Sequence, residues 1–566
     1  MQIQDQENSE NAAKNLLIKV LDFVRNLPGA ENVTCPDPQE LRWTAERYGV
    51  RTVFGNCNFV SSVKNRSAGL TVYIGSQKVL QSQLNQRQKE ILRDAARTVE
   101  FVHQYVKRVP LVCVERTMGD NCYFNPCCTL YVSVQRKEMI RIAYMVGQTL
   151  FPSRKGALGP ALRLLYVPEW QEKDRQVLVF PEIGVTYVFG SDYYGEAKKG
   201  FLRMAMWAAK QEGMLGVHAG AKIVKAKDNA GKIRRYSMIL FGLSATGKTT
   251  HACHNHGLLE DGEGQEIAQD DVVFIRADGS VLGSERGFYL KTGYLDPKVQ
   301  PIIFRAAISH NTIFENVMVD YLGNVHFDDT TLTENGRAII QRDDLGADKS
   351  ESVNLPPLDE LDGMIIIFIT RRNTIVPIAS KLTLEQAAAA FMLGESIETS
   401  AGDPRRAGES VREVGINPFI VGDEAYEGNW FYNFLKRCSD KVQCYLLNTG
   451  GVGEIIEHGK DGEKILKQMA LRVEIPEMAT IIRGIIRGSV EWERDPYFGT
   501  LMLRRANGTQ MTRFELSAFY SQEQINAYVN KLKKERLEWL SKFENLNSAI
   551  LEACARRLET YGHFCQ

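Results

Sequence analysis

A glycine-rich segment at residues 242–249, GLSATGKT, is the feature that most constrains the fold. It matches the pattern G-x-x-x-x-G-K-[ST] in full. The apolar residues 238–241 before it predict a strand, and the residues TTHACHNHG that follow Lys248 predict the start of a helix. Between a strand and a helix, such a loop turns backbone N–H groups toward phosphate oxygens, and the helix N-terminus adds positive potential. The motif therefore predicts an α/β fold that binds a nucleoside triphosphate.

The side chains of this phosphate loop predict its chemistry. Lys248 is expected to reach the β- and γ-phosphates, and the Thr249 hydroxyl is expected to ligate Mg²⁺. The residues expected to contact the nucleotide here are Gly242, Leu243, Ser244, Ala245, Thr246, Gly247, Lys248, Thr249 and Thr250.

Two adjacent carboxylates, Asp270 and Asp271, follow a short apolar stretch in IAQDDVVF (267–274). Neighbouring carboxylates at a strand end are costly unless a cation or hydrogen-bond donors compensate them. By itself the pair is equally consistent with an acidic surface turn. Next to a phosphate loop, the pair favours a metal site.

The composition excludes several classes of protein. Lys plus Arg equals Asp plus Glu, at 69 each in 566 residues, so no global charge field favours nucleic acid or an acidic membrane. The N-terminus lacks the basic and apolar regions of a signal peptide, and no apolar run is long enough for a membrane span. The 11 cysteines are too sparse for a disulfide scaffold, which favours a cytoplasmic protein.

The length predicts at least two domains. Helical spacing marks residues 81–106, and apolar runs at 363–370 and 441–449 predict strands. The polar stretch KAKDNAGKIRRYS predicts a surface hairpin, and the domain boundary is placed there, near Val224. The tail from Gln522 to Tyr561 predicts two amphipathic helices.

Further segments flank the phosphate loop in a characteristic order. They are VKNRSAG (63–69), YYGEAKKG (193–200), GVHAG (216–220), ERGFYLKT (285–292), TENGR (333–337) and YLLNTGG (445–451). In this order they resemble the segments of the ATP-dependent phosphoenolpyruvate carboxykinase family. The motifs extend over about residues 63 to 489, and the part between Phe180 and Arg337 is the most similar.

The resemblance implies a fold and a reaction. An N-terminal α/β domain, residues 1–224, would bind the substrate, and a C-terminal mononucleotide-binding domain, residues 225–566, would bind ATP. The active site would lie in the cleft between them, under a mobile lid near 394–415. The reaction would convert oxaloacetate and ATP reversibly into phosphoenolpyruvate, CO₂ and ADP, in a monomer or small homo-oligomer. SATGKTT resembles the ATP-dependent branch, because the GTP-dependent branch has a cysteine in this loop.

The resemblance also implies the roles of individual residues. Lys199, His218 and Asp271 would ligate a transition metal, typically Mn²⁺, and Thr249 would hold the Mg²⁺ of the nucleotide. The residues that would face the carboxylate and CO₂ end of the substrate are Arg66, Tyr193 and Arg337. Phosphates would be held by Lys248 and Lys291, and the base would contact Arg472 and Val473. Singly, these side chains are more simply surface charges or core residues, and only their joint order favours the site.

The reaction explains the residue types. Decarboxylation of a 2-oxo acid leaves an enolate, whose oxygen needs a Lewis acid beside it. A lysine ligates a metal only as the neutral amine, so the pKa of Lys199 must be lowered, by neighbouring cations such as Lys198 and by the metal. Arginine suits carboxylates because its planar fork pairs with both oxygens.

Some positions depart from the family and indicate a divergent branch. Ala245 stands where glycine is usual, Met478 stands where threonine is usual, and GVHAG lacks the cysteine and serine that often follow the histidine. Two alternatives therefore stay open. One is a phosphate-loop kinase of related fold that acts on a protein or another acid. The other is a catalytically silent nucleotide-binding regulator.

Two cysteine- and histidine-containing clusters invite metal hypotheses. Behind the phosphate loop lie His251, Cys253, His254 and His256. His251 and His254 could share a helix face, but plain helix residues are the favoured interpretation. CYFNPCC (122–128) lacks a matching second pair of ligands and is interpreted as ordinary thiols.

Overall fold

The computed structural model describes residues 2–81, 83–154, 156, 159–170, 175–243, 246–293, 295–397, 409–458 and 464–555. It divides into two compact units. The first contains Met1–Gly216, Leu282–Asn354 and Phe419–Asp423, and the second contains Val217–Val281, Leu355–Pro418 and Glu424–Gln566.

The structure divides the chain at several points, whereas the sequence predicted a single domain boundary near Val224. The chain first leaves the first unit after Gly216, and it returns to that unit for Leu282–Asn354 and again for Phe419–Asp423. The returning segments contain Lys291 and Arg337, which the sequence assigned to the C-terminal domain. Both residues therefore belong to the same unit as Arg66, Tyr193 and Lys199.

The α-helices of the described residues are Gln2–Asn26, Pro38–Glu46, Gln86–Val106, Ile140–Thr149, Tyr194–Gln211, Lys248–Cys253, Pro301–Ala307, Leu384–Leu393, Glu424–Arg437, Ile475–Arg487, Gln522–Leu540 and Ser548–Ala555. None of the helices in the described part of the chain is both long and apolar enough to cross a bilayer.

The first unit contains two mixed sheets. The larger has the spatial order Val33–Thr34, Leu111–Thr117, Cys127–Ser133, Ala161–Val167, Val185–Phe189, Gln176–Phe180 and Thr71–Tyr73, with Phe151–Pro152 paired to Leu111–Thr117. The smaller has the order Gly287–Lys291, Arg337–Gln341, Ile313–Glu315, Cys57–Phe59 and Val50–Arg51. Helices Gln2–Asn26 and Gln86–Val106 contribute Val20, Val24, Ile91, Val99 and Val102 to the core that covers the larger sheet. A short hairpin pairs Met318–Val319 with Val325–His326.

The second unit is built on one large sheet. Its order is Gly264–Gln269, Ala219–Lys227, Ile233–Gly242, Gly363–Thr370, Val442–Asn448, Ala379–Leu382, Leu501–Ala506 and Val490–Arg494, with Thr509–Gln510 paired to Leu501–Ala506. The three central strands, Ile233–Gly242, Gly363–Thr370 and Val442–Asn448, are parallel to one another. All residues of Gly363–Thr370 are buried, as are the last six of Ile233–Gly242 and five of the seven of Val442–Asn448, as expected for a sheet covered on both faces.

Several short strands complete the fold. Leu215–Val217, Val273–Ile275 and Val281–Gly283 form a separate sheet in that order. Two-stranded pairs join Glu395–Ile397 to Ser410–Arg412, Gly451–Val452 to Leu471–Arg472, and Ile455–His458 to Lys464–Gln468.

Most elements expected from the sequence are confirmed. The helix expected over 81–106 begins at Gln86, because Asn85 caps its first turn in a reciprocal pair with Gln88. Strands occupy 363–370 and 442–448, and the polar stretch after Ala219–Lys227 forms the expected hairpin. In the tail, helices Gln522–Leu540 and Ser548–Ala555 are present as predicted. The cysteines of CYFNPCC, Cys122, Cys127 and Cys128, are free cysteines.

A buried charge cluster fixes the hairpin that borders residues 398–408. The Glu395 side chain is 7% exposed. Its carboxylate forms ion pairs with Arg536 at 2.6 Å, Arg372 at 3.0 Å and Arg412 at 3.2 Å. Burial by itself would raise the pKa of the Glu395 carboxyl, but the guanidiniums, Arg372 first, hold that pKa below its usual range. Gly394 has φ +45°, and a Cβ there would lie 1.5 Å from the Glu413 carbonyl oxygen, so only glycine fits. The segment 398–408, most of the predicted lid, lies outside the described residues.

We expect Glu395→Gln to lower the free energy of unfolding by about 3–5 kcal/mol, because three buried guanidiniums would lose their common anion. Urea unfolding followed by circular dichroism measures this. The control is Glu491→Gln, which removes an exposed ion pair to Arg505 and should change the free energy of unfolding by less than about 1 kcal/mol. Equal losses in the two variants would contradict the role assigned to the cluster.

Candidate functional site

The carboxyl ends of the three central parallel strands meet beside the phosphate loop. The Thr449 hydroxyl, just after strand Val442–Asn448, donates to the Thr246 carbonyl at 2.6 Å. Its backbone N–H donates to the carbonyl of Thr370, the last residue of the next strand, at 2.9 Å. Ligands of open α/β sheets bind at this edge. The sheet therefore places the loop where a bound nucleotide is expected.

The loop itself is tightly packed. A Cβ at Gly242 would lie 2.7 Å from the Thr246 hydroxyl and 3.0 Å from the Lys248 Cβ, so the chain could not turn there with a larger residue. Gly247 has φ +98° and leads directly into helix Lys248–Cys253. The strand and helix predicted around the motif are thus present. Ser244 and Ala245 lie outside the described residues.

The carboxylate of Asp271 is the meeting point of the predicted catalytic groups in the second unit. Its Oδ1 lies 2.8 Å from the His218 Nε2 and 3.7 Å from the Lys248 Nζ. These three side chains are no more than 13% exposed, which strengthens their mutual electrostatic interaction. The structure therefore brings together three of the predicted catalytic residues around one anion.

A backbone contact fixes the orientation of the His218 ring. The His218 Nδ1 lies 3.0 Å from the Ile416 carbonyl oxygen. Since a carbonyl only accepts hydrogen bonds, Nδ1 carries the proton in this contact. The Nε2 atom faces the Asp271 carboxylate, to which it donates when protonated; a metal ion bound by the two groups would take the place of that proton, as in metal-ligating histidines.

Asp270 has a different partner from Asp271. Its Oδ2 accepts a hydrogen bond of 2.9 Å from the Thr249 hydroxyl. The two adjacent carboxylates therefore divide between the start of the loop helix and the His218–Lys248 pair. The metal roles predicted for Thr249, Asp270 and Asp271 stay predictions.

The donor set suits a divalent cation in part. Imidazole nitrogen and carboxylate oxygen are ligands that Mn²⁺ and Mg²⁺ accept. In the described part of the chain, no group of three or more His, Cys, Asp or Glu side chains is arranged to hold a metal ion. The third predicted ligand, Lys199, is an amine and belongs to the first unit. His218 and Asp271 thus supply two of the three predicted donors within one unit.

The residues predicted to contact the base lie on a short pair of strands. Arg472 is paired with Gly451, and the Val473 N–H donates to the Gly450 carbonyl at 3.2 Å. A Cβ at Gly451 would lie 2.1 Å from the Leu471 carbonyl oxygen, so glycine permits this close approach. Thr449 contacts the phosphate loop, and strand Gly451–Val452 begins two residues after it in the chain. The strand pair that carries Arg472 therefore lies near the loop.

The histidines behind the loop form a buried cluster rather than an exposed helix face. His251 and His256 are buried with ring centroids 5.7 Å apart. Burial lowers the pKa of His251 to about 3 and that of His256 well below its usual value, so both rings are neutral at physiological pH. Lys222, also fully buried, donates to the carbonyl oxygens of His251 and His254, each at 2.8 Å, and to the Gln265 Oε1 at 2.9 Å. This lysine, which the sequence did not single out, satisfies the carbonyls at the end of the loop helix.

In the first unit, one aromatic ring joins two predicted site residues. The Arg66 Cζ and the Lys199 Nζ each lie 4.8 Å from the centroid of Phe419. Phe419 is buried and begins the short returning segment Phe419–Asp423. Sequence reasoning missed Phe419 because nothing local distinguishes it from a core aromatic.

The neighbour of Lys199 is neutralised. Lys198 and Glu285 form an ion pair that is almost completely buried. Glu285 offsets most of the positive potential that Lys198 would otherwise exert on Lys199. The suggestion that Lys198 helps to lower the pKa of Lys199 therefore loses its main support.

Tyr193 and Arg337 are joined through Asn335. The Asn335 side-chain amide donates to the Tyr193 hydroxyl at 3.1 Å, and the Arg337 Nε donates to the Asn335 Oδ1 at 3.0 Å. The Arg337 guanidinium also lies 5.3 Å from the centroid of the Tyr289 ring. Asn335 is within the quoted motif TENGR, so the signal for it was present in the sequence, although no role was assigned.

A buried carboxylate organises the elements beneath these groups. Glu315 is fully buried, accepts hydrogen bonds from the Tyr289 hydroxyl at 2.8 Å and the Tyr194 N–H at 3.0 Å, and lies 3.5 Å from Arg141. Burial raises the pKa of the Glu315 carboxyl, and Arg141 opposes this effect. Glu315 is also the register partner of Arg337 on the neighbouring strand. It holds both the start of helix Tyr194–Gln211 and the strand that carries Arg337.

Lys291 and Arg337 are cross-strand partners in the antiparallel pair Gly287–Lys291 and Arg337–Gln341. Burial and, second, the neighbouring Arg337 charge lower the pKa of Lys291 to about 8, and the Glu334 carboxylate opposes this shift. Two like charges opposite each other are destabilising in a sheet unless an anion lies near them. Their pairing is thus consistent with the predicted phosphate site.

Comparisons with known proteins were made for the whole chain. A family model described as phosphoenolpyruvate carboxykinase matches residues 61–512. A curated relative from Aeropyrum pernix, named phosphoenolpyruvate carboxykinase (ATP), is 30% identical over 515 residues, which cover 89% of this chain and 93% of the relative. Proteins of the same name from Rhodopseudomonas palustris and Leptospira biflexa are 28% and 29% identical over 56% and 57% of this chain. Those matches cover 53% and 56% of the relatives.

The family model covers most of the chain, and the Aeropyrum relative aligns with nearly its full length. The chain therefore belongs to the phosphoenolpyruvate carboxykinase family, as a divergent member. The resemblance drawn from the motifs is confirmed at the level of the family.

We expect the amine of Lys291 to titrate near pH 8, and Arg337→Met to move this midpoint toward 10.5, because the neighbouring positive charge is removed. Acetylation of each lysine by limiting acetic anhydride, measured across pH by mass spectrometry, reports the midpoint. Arg136→Met, which removes an exposed partner of Glu138, should leave the midpoint unchanged. A midpoint near 10.5 in the unmodified protein would contradict the lowered pKa of Lys291.

Proposed function

We propose that this protein is an ATP-dependent phosphoenolpyruvate carboxykinase, which converts oxaloacetate and ATP reversibly into phosphoenolpyruvate, CO₂ and ADP. The observation that carries the proposal is the convergence of His218 and Lys248 on the Asp271 carboxylate, beside the phosphate loop of a chain in this family. A nucleotide-binding loop alone would not require a histidine at that carboxylate.

ATP is proposed as the phosphoryl donor and the nucleotide ligand of the loop. Lys248 would neutralise charge on the β- and γ-phosphates, and Thr249, hydrogen-bonded to Asp270, would hold Mg²⁺ together with it. Lys291 and Arg337 would add positive charge at the transferred group. The nucleotide base would rest against Arg472 and Val473, whose backbone is fixed by pairing with Gly450 and Gly451.

The carboxylate and CO₂ end of oxaloacetate is assigned to Arg66, Tyr193 and Arg337. Arginine binds carboxylates through two parallel hydrogen bonds, which requires that its plane be fixed. Phe419 orders the Arg66 guanidinium, and Asn335 orders both Arg337 and the Tyr193 hydroxyl. These contacts reduce the side-chain entropy lost when substrate binds.

For the metal, we propose His218 and Asp271 as ligands, and Lys199 as a third ligand stays a prediction. When bound, a divalent cation such as Mn²⁺ supplies Lewis-acid stabilisation of the enolate that decarboxylation leaves. The Ile416 carbonyl accepts a hydrogen bond from Nδ1, so Nε2 is the nitrogen that would bind the metal once it has released its proton. Lys248, 3.7 Å from Asp271, places a positive charge beside the same carboxylate and links the proposed metal ligand to the phosphate loop.

Enolate chemistry requires that water be excluded, because protonation would give pyruvate instead of phosphoenolpyruvate. We propose residues 394–415 as the lid that provides this exclusion. The support is the rigid base of that segment: Glu395 and Arg412 are cross-strand partners and share a buried ion cluster. A mobile loop on a fixed base can close repeatedly in the same register.

The alternatives explain fewer of the residues. A phosphate-loop kinase of related fold, acting on a protein or another acid, uses Lys248 and Thr249 but leaves His218 without a role. A catalytically silent nucleotide-binding regulator has no need for either the His218–Asp271 contact or the Lys291–Arg337 pair.

The test is an assay with oxaloacetate, Mn²⁺ and either ATP or GTP, in which phosphoenolpyruvate and pyruvate are quantified separately. Phosphoenolpyruvate is expected with ATP. Lys248→Met is expected to lower its rate of formation by about 100- to 1,000-fold, because a positioned cation is lost from the transferred phosphate. The matched control is Lys232→Met, an exposed lysine in the hairpin turn of the same unit, which should retain full activity.

Absence of phosphoenolpyruvate with both nucleotides, while oxaloacetate stays intact, would reject the proposed reaction. Phosphorylation of a protein or another acid in its place would support the kinase alternative. Product with GTP but not with ATP would retain the reaction and overturn the assignment of the donor.

A further inference from the structure

A cavity of about 80 Å³ lies within the second unit, and its lining contains none of the residues assigned to the nucleotide. One wall is formed by the buried strand ends at Phe368 to Thr370 and by Leu446. The other walls come from helices Leu384–Leu393, Gln522–Leu540 and Ser548–Ala555. A single water needs about 10–15 Å³ of such space, so the cavity has room for a small organic molecule.

The lining combines an apolar body with one uncompensated cation. Phe368, Leu393, Leu446 and Phe498 are among the apolar residues that face the cavity. Lys533 also lines it, and among the described residues its ammonium has neither a hydrogen-bond nor an ion-pair partner. A lysine ammonium beside apolar surface is stabilised when an anionic ligand binds next to it.

The other ionisable groups of the lining are already satisfied. Arg536 donates two hydrogen bonds to the Glu395 carboxylate, from Nε at 3.1 Å and from Nη2 at 2.6 Å. Glu395 is in turn shared with Arg372 and Arg412. Burial raises the pKa of the Cys554 thiol, so this group is neutral at physiological pH. Lys533 is therefore the group that selects the charge of a ligand.

The cavity walls include backbone that also supports the proposed active site. The Thr370 hydroxyl donates to the Glu395 carbonyl at 2.6 Å, while the Thr370 carbonyl accepts from the Thr449 N–H at 2.9 Å. Ile416 lines the cavity and presents its carbonyl to His218. None of the nucleotide, metal or substrate residues assigned above lines the cavity itself.

We propose that this cavity is a second ligand site that binds a small amphipathic monocarboxylate, with the carboxylate on Lys533 and a short alkyl chain against the apolar wall. The proposal rests on the pairing of apolar surface in a partly open cavity with one half-buried ammonium that has no partner among the described residues. It does not depend on the reaction proposed above.

The test is isothermal titration of the full-length protein with propanoate, butanoate and pentanoate. Each added methylene should tighten binding about fourfold, because it buries one more CH₂ group against apolar surface. Lys533→Met should weaken binding of butanoate by at least about tenfold, the loss expected for a charge-assisted contact. Butanamide, which has the same shape without the charge, should bind equally weakly to both proteins.

Two controls separate this site from general effects. Lys531→Met changes an exposed lysine of the same helix that does not line the cavity, and it should bind like the unmodified protein. Ala390→Leu, which fills the cavity, should abolish binding while Lys533 is retained. No saturable binding of any alkanoate, or equal affinity in Lys533→Met, would overturn the proposal.

Discussion

Asp271 carries the interaction on which the proposed active site depends. Its carboxylate lies within reach of an imidazole and an ammonium that arrive from different parts of the chain: His218 precedes strand Ala219–Lys227, and Lys248 begins the loop helix. An ionised carboxylate at a nearly buried position is costly unless cations surround it. Because little water screens these nearly buried side chains, the electrostatic attraction of each contact is strong. The phosphate loop and the proposed metal site are therefore coupled through one side chain.

Buried charge recurs as a means of fixing geometry elsewhere in both units. Glu315 holds Arg141, Tyr289 and the start of helix Tyr194–Gln211, and Glu395 holds three arginines at the base of the predicted lid. Lys222 does the same with a positive charge at the end of the loop helix. Hydrophobic residues of the right volume could fill these positions, but they would not fix the direction of a neighbouring hydrogen-bond donor. Glu315 is the cross-strand partner of Arg337, which the proposed reaction needs in one orientation.

The sequence predicted the parts of the fold that local patterns specify. The apolar run at 363–370 and the glycine-rich turn at 242–249 depend on neighbours in the chain, and the structure has the expected strands and loop context there. The antiparallel pairing of Gln176–Phe180 with Val185–Phe189 depends on a turn of the chain at Pro181 and Gly184. The assignment of 282–354 to the C-terminal domain missed the return of the chain to the first unit, which long-range packing alone determines. For the same reason, two contacts could not be predicted from the sequence: that of Phe419 with Arg66 and Lys199, and that of Glu285 with Lys198.

The central claim is that Asp271 and His218 hold a divalent cation next to the phosphate loop. Titration with Mn²⁺ followed by electron paramagnetic resonance of the free ion tests it most directly, in the unmodified protein and in Asp271→Asn. The account predicts one Mn²⁺ site whose affinity falls by at least about tenfold in Asp271→Asn, while circular dichroism shows the fold retained. Unchanged Mn²⁺ affinity in a folded Asp271→Asn protein would contradict it.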